Sequence, residues 1–287
     1  MLAGCASNAH KAEPSGGSDC PVRPVDVVVS VDQWGDIVSE LGGGCANVKT
    51  LLASSSVDPH DFEPAPADAA IMSGAQLVVV NGGHYDEWAT KLAKGSAPNA
   101  PVVNAITDPN TQNPHVWYDP STVSATADRV TEALKKVAPD AADYFSARRT
   151  AFGSALQPYD ALIAKIRTGA AGKTYAATEG VFDDMAAAVG LIDRTPPGYA
   201  AAARNESDPS PADLSAFFAL LKDKGVNVLI YNTQTEGSVP QQVRAAAQAA
   251  GIPVVEVTET VAPGAKSFES WQVDQLTALA KALGVSV

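Results

Sequence analysis

Two short runs carry most of the chemistry that can be read from this chain. "SVDPHDFEP" (56–64) sets His60 between Asp58 and Asp61, with Pro59 and Pro64 beside them and Glu63 close by. "NPHVWYDP" (113–120) sets His115 directly after Pro114. A preceding proline limits the backbone, so each imidazole has less freedom to lose on being fixed. A lone loop histidine is ordinarily a surface group; two in matching settings invite a joint reading. Borderline dications take imidazole nitrogen and carboxylate oxygen. Two acids in the second half qualify, Glu179 in "ATEGVFDD" and Glu259 in "VTETV". Either alone reads as a solvated loop acid. Together, two neutral imidazoles and two carboxylates would bring a charge of −2 to a +2 ion, about the compensation that a buried ion needs. The other histidines are His10, in a polar stretch with no assigned role, and His84 in "NGGH" (81–84). His84 reads as a rim residue, with spare ligand or gate as the other readings.

The elements that must position these groups alternate. "VDVVVSV" (25–31), "VKTLLA" (48–53), "AQLVVVNGG" (75–83) and "PVVNAI" (101–106) read as strands rich in β-branched residues. Helices are expected after Asp32, which can serve as N-cap, and over 66–75 and 85–94, with Gly42 to Gly44 ending the first. From 121 to 168 the pattern is helical throughout, broken near Ala138-Pro139. Gly153 and Pro158 predict a bend in its second part. The alternation then resumes. Strands are expected at 173–180, 226–234 and 253–260, and helices at 181–190, 210–225, 240–251 and 270–283. Ser210 stands as N-cap and Pro211 at the first helical position of the 210–225 helix. The predicted architecture is two α/β lobes with parallel sheets, joined by a long helix, with a ligand site in the cleft between them. Its expected boundaries are a tether over 1–24, a first lobe over 25–137, a linking helix over 138–170 and a second lobe over 171–287. Ligands in such sheets gather beyond the carboxyl ends of strands, where the His60 and His115 loops fall.

Composition narrows the function classes. The chain has 287 residues, 46% of them hydrophobic, and a net charge of −12. That charge argues against nucleic acid, whose phosphates need clustered Lys and Arg, and suits a protein that meets cations. No apolar run approaches the roughly 18 residues needed to span a bilayer. No Gly-x-Ser-x-Gly elbow, Walker loop, dinucleotide glycine fingerprint or HExxH is present. "MLAGCASN" (1–8) is similar to a bacterial lipobox, with Cys5 as the lipidated residue; the apolar part of such a signal would precede residue 1. Residues 6–18 are polar and rich in Gly, Ser and Ala, as a tether is. Cys20 and Cys45 then remain, and an exported protein with two spare cysteines commonly joins them; two free buried thiols are the alternative.

Three segments carry a family resemblance. "DPHDFEPAPADAAIMSGAQLVVVNG" (58–82), "DEWATKL" (86–92) and "NPHVWYDP" (113–120) resemble segments of the zinc and manganese solute-binding lipoproteins of ABC transporters, the cluster A-I type. The similarity runs from about Val25 to the C-terminus. It implies two α/β lobes joined by a long helix, and metal ligands at His60, His115 and Glu179. The family's fourth ligand is usually an aspartate after the last strand, and Glu259, one methylene longer, stands in that place. The long His-rich loop of many zinc members is missing, which leaves Zn²⁺ and Mn²⁺ both open.

The expectation is therefore a non-enzymatic, exported, monomeric receptor, held by lipid on the outer face of the cytoplasmic membrane. It would capture Zn²⁺ or Mn²⁺ and deliver it to an ABC permease. The rivals are a metal-dependent hydrolase with Glu179 or Glu259 as base, a receptor for an iron chelate or corrinoid, and an adhesin with a structural metal.

Overall fold

The computed structural model describes residues 20–53, 59–60, 62–205, 207–235 and 237–286. Cys5, the expected lipidation site, lies outside them, as do His10 and the acids flanking His60, Asp58 and Asp61. Val25–Val31 forms strand β1, Ala46–Leu52 β2, Leu77–Val80 β3 and Val102–Asn104 β4. They pair in parallel in the order β2-β1-β3-β4. The helices between them are α1 (Asp32–Gly42), α2 (Pro66–Met72) and α3 (Glu87–Ser96). The second sheet uses β5 (Thr174–Ala177), β6 (Ile192–Asp193), β7 (Val228–Asn232) and β8 (Val254–Val257), again all parallel, in the order β6-β5-β7-β8. The two sheets thus share one topology, although no repeat is visible in the residues. Around the second sheet stand α7 (Asp183–Ala188), α8 (Pro197–Arg204), α9 (Pro211–Lys222), α10 (Ser238–Ala249) and α11 (Phe268–Ala282). Ser210 caps α9 as expected, its hydroxyl accepting the Asp213 N–H at 3.2 Å.

Three helices connect the sheets: α4 (Pro120–Val137), α5 (Ala142–Ala155) and α6 (Gln157–Gly169). The bend expected between Gly153 and Pro158 falls at Leu156, which keeps right-handed helical angles, φ −71° and ψ −13°. Pro158 has no N–H to continue the ladder there. Helix α5 packs on α1 and α4, and α6 packs on α11, so the connection is held against one sheet's helices at each end.

Asp32 departs from expectation. It is the first residue of α1, and its side chain does not cap that helix; Oδ1 instead accepts the N–H of Val261, 229 residues away, at 3.3 Å. The C-terminus of α1 obeys the glycine pattern. Gly43 has φ +49°, and a Cβ there would come within 2.5 Å of the Tyr144 hydroxyl, which accepts the Gly44 N–H at 2.9 Å.

One apolar cluster runs through both halves. It includes Val27, Val29 and Trp34 near the first sheet, Trp117 and Tyr118 in the middle, and Phe182, Ile230 and Trp271 near the second. The Tyr118 ring lies 5.0 Å from Phe182 and 5.8 Å from Trp271, centroid to centroid. Each apolar side chain buried this fully is worth about 1.5–3 kcal/mol. Among the described residues no helix is long and apolar enough to cross a membrane.

Cys20 and Cys45 are joined by a disulfide across a sequence separation of 25. Reducing it is expected to lower the unfolding free energy by about 3 kcal/mol on a chain-entropy basis. Urea melts with and without reductant, read by tryptophan fluorescence, check this.

Candidate metal centre

Six strands point their carboxyl ends at one region. After β2 comes His60, after β3 Tyr85, after β4 His115, after β5 Glu179 and after β8 Glu259; Asn232 is the last residue of β7. His115, Tyr85, Asn232 and Glu259 are buried, and His60 is half-buried.

The first-lobe side chains are held by a network that starts in "NGGH". Gly82, Gly83 and His84 all have positive φ, +84°, +63° and +70°. Asp86 closes the turn, its two oxygens accepting the N–H groups of Asn81 (2.7 Å) and Gly82 (2.8 Å). The Trp34 indole donates to Asn81 Oδ1 at 2.8 Å, and Asn81 Nδ2 donates to the Pro114 carbonyl at 2.9 Å. The turn therefore holds the residue just before His115 and turns Tyr85 inward. His84 itself points out, 90% exposed, and pairs with Glu87. The His60 loop is tied separately: the Trp88 indole donates to the Pro59 carbonyl at 3.0 Å, and the Phe62 ring packs edge-on to Trp88 at 4.6 Å.

One ligand atom from each of His60, His115 and Glu259 lies within 4.8 Å of the other two. Residues about 200 positions apart thus converge on one point. His115 Nδ1 is 2.7 Å from Asn113 Oδ1, so it is the nitrogen that carries the proton there. Its Nε2 then presents a lone pair. That atom is buried and receives no hydrogen bond from the described residues, and its distance to Glu259 Oε2 is 3.5 Å. An orphaned lone pair beside a carboxylate and a second imidazole fits a cation.

Glu179 is close but outside this triangle. Its Oε2 accepts Asn232 Nδ2 at 2.8 Å and the Thr235 hydroxyl. The same Asn232 amide donates to Glu259 Oε1 at 2.9 Å, so one side chain is shared between both acids. Glu259 Oε2 also accepts the Tyr85 hydroxyl at 3.2 Å. Asn113, Tyr85 and Asn232 do not stand out in the sequence. For Asn113 the available signal is its place in "NPH"; nothing local marks the other two as partners of distant acids.

The electrostatics are those of a site prepared for positive charge. Burial pulls the His115 imidazole down, but its contact with Glu259 and the charges of Glu179 and Asp183 raise it above its ordinary value of 6.5. Burial raises Glu259, but His115, Asn232 and His60 bring it below the usual carboxylate value. Glu179 is raised, first by burial and then by Glu259. Burial keeps the Tyr85 hydroxyl protonated, so it remains a donor to Glu259.

Known proteins resemble this chain over most of its length. Residues 27–282 match the family described as zinc-uptake complex component A, periplasmic. The high-affinity zinc uptake system protein ZnuA of Bacillus subtilis is 24% identical over 253 residues, covering 80% of this chain and 76% of that protein. The manganese-binding lipoprotein MntA of Halalkalibacterium halodurans is 26% identical over 164 residues, 55% of this chain and 52% of MntA, so the chain spans about half the length of that relative. A crystal structure of ZnuA superposes with a TM-score of 0.75 at 20% identity, over 91% of this chain and 99% of that one. Zinc-binding TroA from Treponema pallidum gives 0.74 over the same shares. At that identity the superpositions establish the fold, two parallel-sheet α/β lobes. With the match extending over residues 27–282 of 287, the chain belongs to the zinc-uptake complex component A family of periplasmic proteins.

Proposed function

We propose that the chain is an exported receptor that captures Zn²⁺ or Mn²⁺ and passes it to the permease of an ABC transporter. The observation that carries this reading is the buried Nε2 of His115, which receives no hydrogen bond from the described residues and stands with His60 and Glu259 so that one ion can touch all three. Relatives named as zinc-uptake and manganese-binding proteins support it. His60, His115 and Glu259 are the first three ligands. Glu179 is the fourth, reached by turning its carboxylate away from Asn232 and Thr235 once a cation offsets its repulsion from Glu259. Four protein ligands leave no open position for a substrate or a reactive water, so the protein is a carrier and not an enzyme. The set suits zinc in a tetrahedral shell; carboxylates binding through both oxygens would suit manganese.

The same proposal takes residues 25–137 and 171–287 as the two lobes and 138–170 as their helical connection. It also includes lipid attachment at Cys5, with the monomer held on the outer face of the cytoplasmic membrane by the stretch over 1–24.

His115→Ala and His60→Ala are expected to weaken Zn²⁺ binding by well over 100-fold while the far-ultraviolet spectrum stays unchanged. Asn113→Ala, which only frees the His115 ring, is expected to cost about 10–100-fold. Competitive titration against a chelating dye reads all three; wild-type affinity in both histidine variants would refute the assignment. Zn²⁺ and Mn²⁺ added together, followed by metal analysis of the protein, decide between the ions.

Affinity should also fall with acid. The metal must displace a proton that the raised His115 holds to higher pH than a free imidazole does. The decline is therefore expected to begin above pH ~6.5. In the metal-free protein the same shift has a fixed sign. The raised His115 contributes stability that is complete below its ordinary 6.5 and is lost as pH rises through its folded value. The lowered Glu259 contributes stability present above its ordinary 4.5 and lost as pH falls through its folded value. Thermal melts from pH 4 to 8, with and without metal, check both.

A further inference from the structure

Away from the histidines, one part of the contact between the two halves is acidic. Helix α1 carries Asp32, Asp36 and Glu40 at intervals of four, so all three share one face. That face meets the start of α11 and the segment before it. The Val261 N–H donates to Asp32, and the Phe268 N–H donates to Asp36 Oδ2. These bonds account for Asp32 and for one oxygen of Asp36. They leave Glu269 unexplained. It is 7% exposed, yet neither carboxylate oxygen receives a hydrogen bond from an N–H or hydroxyl of the described residues; its side-chain partner is another acid, Glu40. One oxygen each from Asp36, Glu40 and Glu269 lies within 4.8 Å of the other two. The basic group beside them, Arg148 on α5, spends its Nε on the Glu40 backbone carbonyl at 2.7 Å. Burial, followed by contact with Glu269, pushes the Glu40 carboxyl up to about 8; burial and Glu269 also raise Asp36. Acids buried against one another are costly unless a proton or another cation joins them.

We propose that Asp36, Glu40 and Glu269 form a second cation site, for a hard divalent ion of the Ca²⁺ or Mg²⁺ class, that ties α1 to α11 across the interface. The donors are all carboxylate oxygens, which select hard cations over the borderline ones that imidazoles attract. An ion with bonds of about 2.3–2.6 Å spans oxygens up to about 5 Å apart, which accommodates this trio. Asp36 and Glu40 are half-exposed and give the ion a way in, while the buried Glu269 supplies the inner ligand. The ion would fix the two halves relative to one another without touching the histidines, so it acts on the stability of the closed arrangement rather than on transition-metal recognition.

The experiment is a set of thermal melts of the whole, zinc-free protein with Ca²⁺ or Mg²⁺ in millimolar excess, at pH 6 and pH 8. Wild-type protein is expected to gain about 3–5 °C at pH 8 with the preferred ion, and less at pH 6, where a proton on Glu40 competes. Asp32, Asp36, Glu40, Glu269 and Arg148 are the charged groups that face this point. Glu269→Gln and Glu40→Gln are expected to lose the gain, each folding as well as wild type without ion because a repulsion has been relieved. His115→Ala is expected to keep it. Melting temperatures unmoved by either ion at both pH values overturn the proposal in favour of a proton shared by Glu40 and Glu269. A gain that survives in both glutamine variants, or that disappears in His115→Ala, overturns it too, the latter by placing the ion at the histidine centre. Zinc titration of the same samples is read separately, so failure here leaves the transition-metal centre untouched.

Discussion

The arrangement depends on one carboxylate crossing from one half of the molecule to the other. Glu259, after the last strand of the second sheet, reaches the His115 imidazole and the Tyr85 hydroxyl, both carried by the first. An acid so little exposed would be neutral on its own. The imidazoles, the phenol and the Asn232 amide hold it charged, and in return its charge raises His115. The pair is favourable only as long as the two halves stay together, so the interface and the site are one piece of physics.

The common core limits how far they can separate. Apolar side chains from both sheets form one cluster through Trp117, Tyr118, Phe182 and Trp271, and the Tyr118 hydroxyl lies within hydrogen-bond distance of the Thr258 carbonyl (2.7 Å) and of Gln275 Oε1 (2.8 Å). Wide opening would expose fully buried rings and break these bonds together. Small adjustments near the proposed ligands cost far less. Turning Glu179 away from Asn232 and Thr235 exchanges two hydrogen bonds, each of net worth about 0.5–1.5 kcal/mol, or more because the acceptor is charged. Loading and unloading a metal is therefore better matched to side-chain and loop movement than to a large hinge.

Much of this is legible in the residues because strand and candidate ligand lie close together in sequence. β-branched runs mark β1, β2, β3 and β4, and proline-histidine pairs stand in the loops after two of them. Expected strands overrun: the pattern over 75–83 reads as strand where β3 is Leu77–Val80, because the apolar run continues into a turn whose glycines take positive φ. Helix α8 and the two-residue strand β6 have no counterpart among the expected elements. A strand that short carries no period, and only Pro197 before a run of alanines signals the helix. The division of the connecting helix at Leu156 agrees in kind with the bend that Gly153 and Pro158 predict. What local pattern does not carry is the partnership of groups distant in sequence. Asp32 has every local feature of an N-cap, and a backbone N–H from Val261 claims it instead. Tyr85 and Asn232 look like core and strand-end residues until Glu259 is placed beside them. The acid face of α1 reads as a solvated stripe until α11 lands on it.

The disulfide encloses β1 and α1 within a covalent ring, since Cys20 precedes the strand and Cys45 lies just before β2. A mechanical load applied to the chain ahead of Cys20 therefore reaches the body of the protein through a sulfur bridge as well as through the backbone. Strand β1, one of the two inner strands of the first sheet, resists being peeled out from that side, because the segment before it is tied to the residue just ahead of β2. The hydrogen-bond ladder beneath the His60 and His115 loops is thereby insulated from traction at the amino terminus.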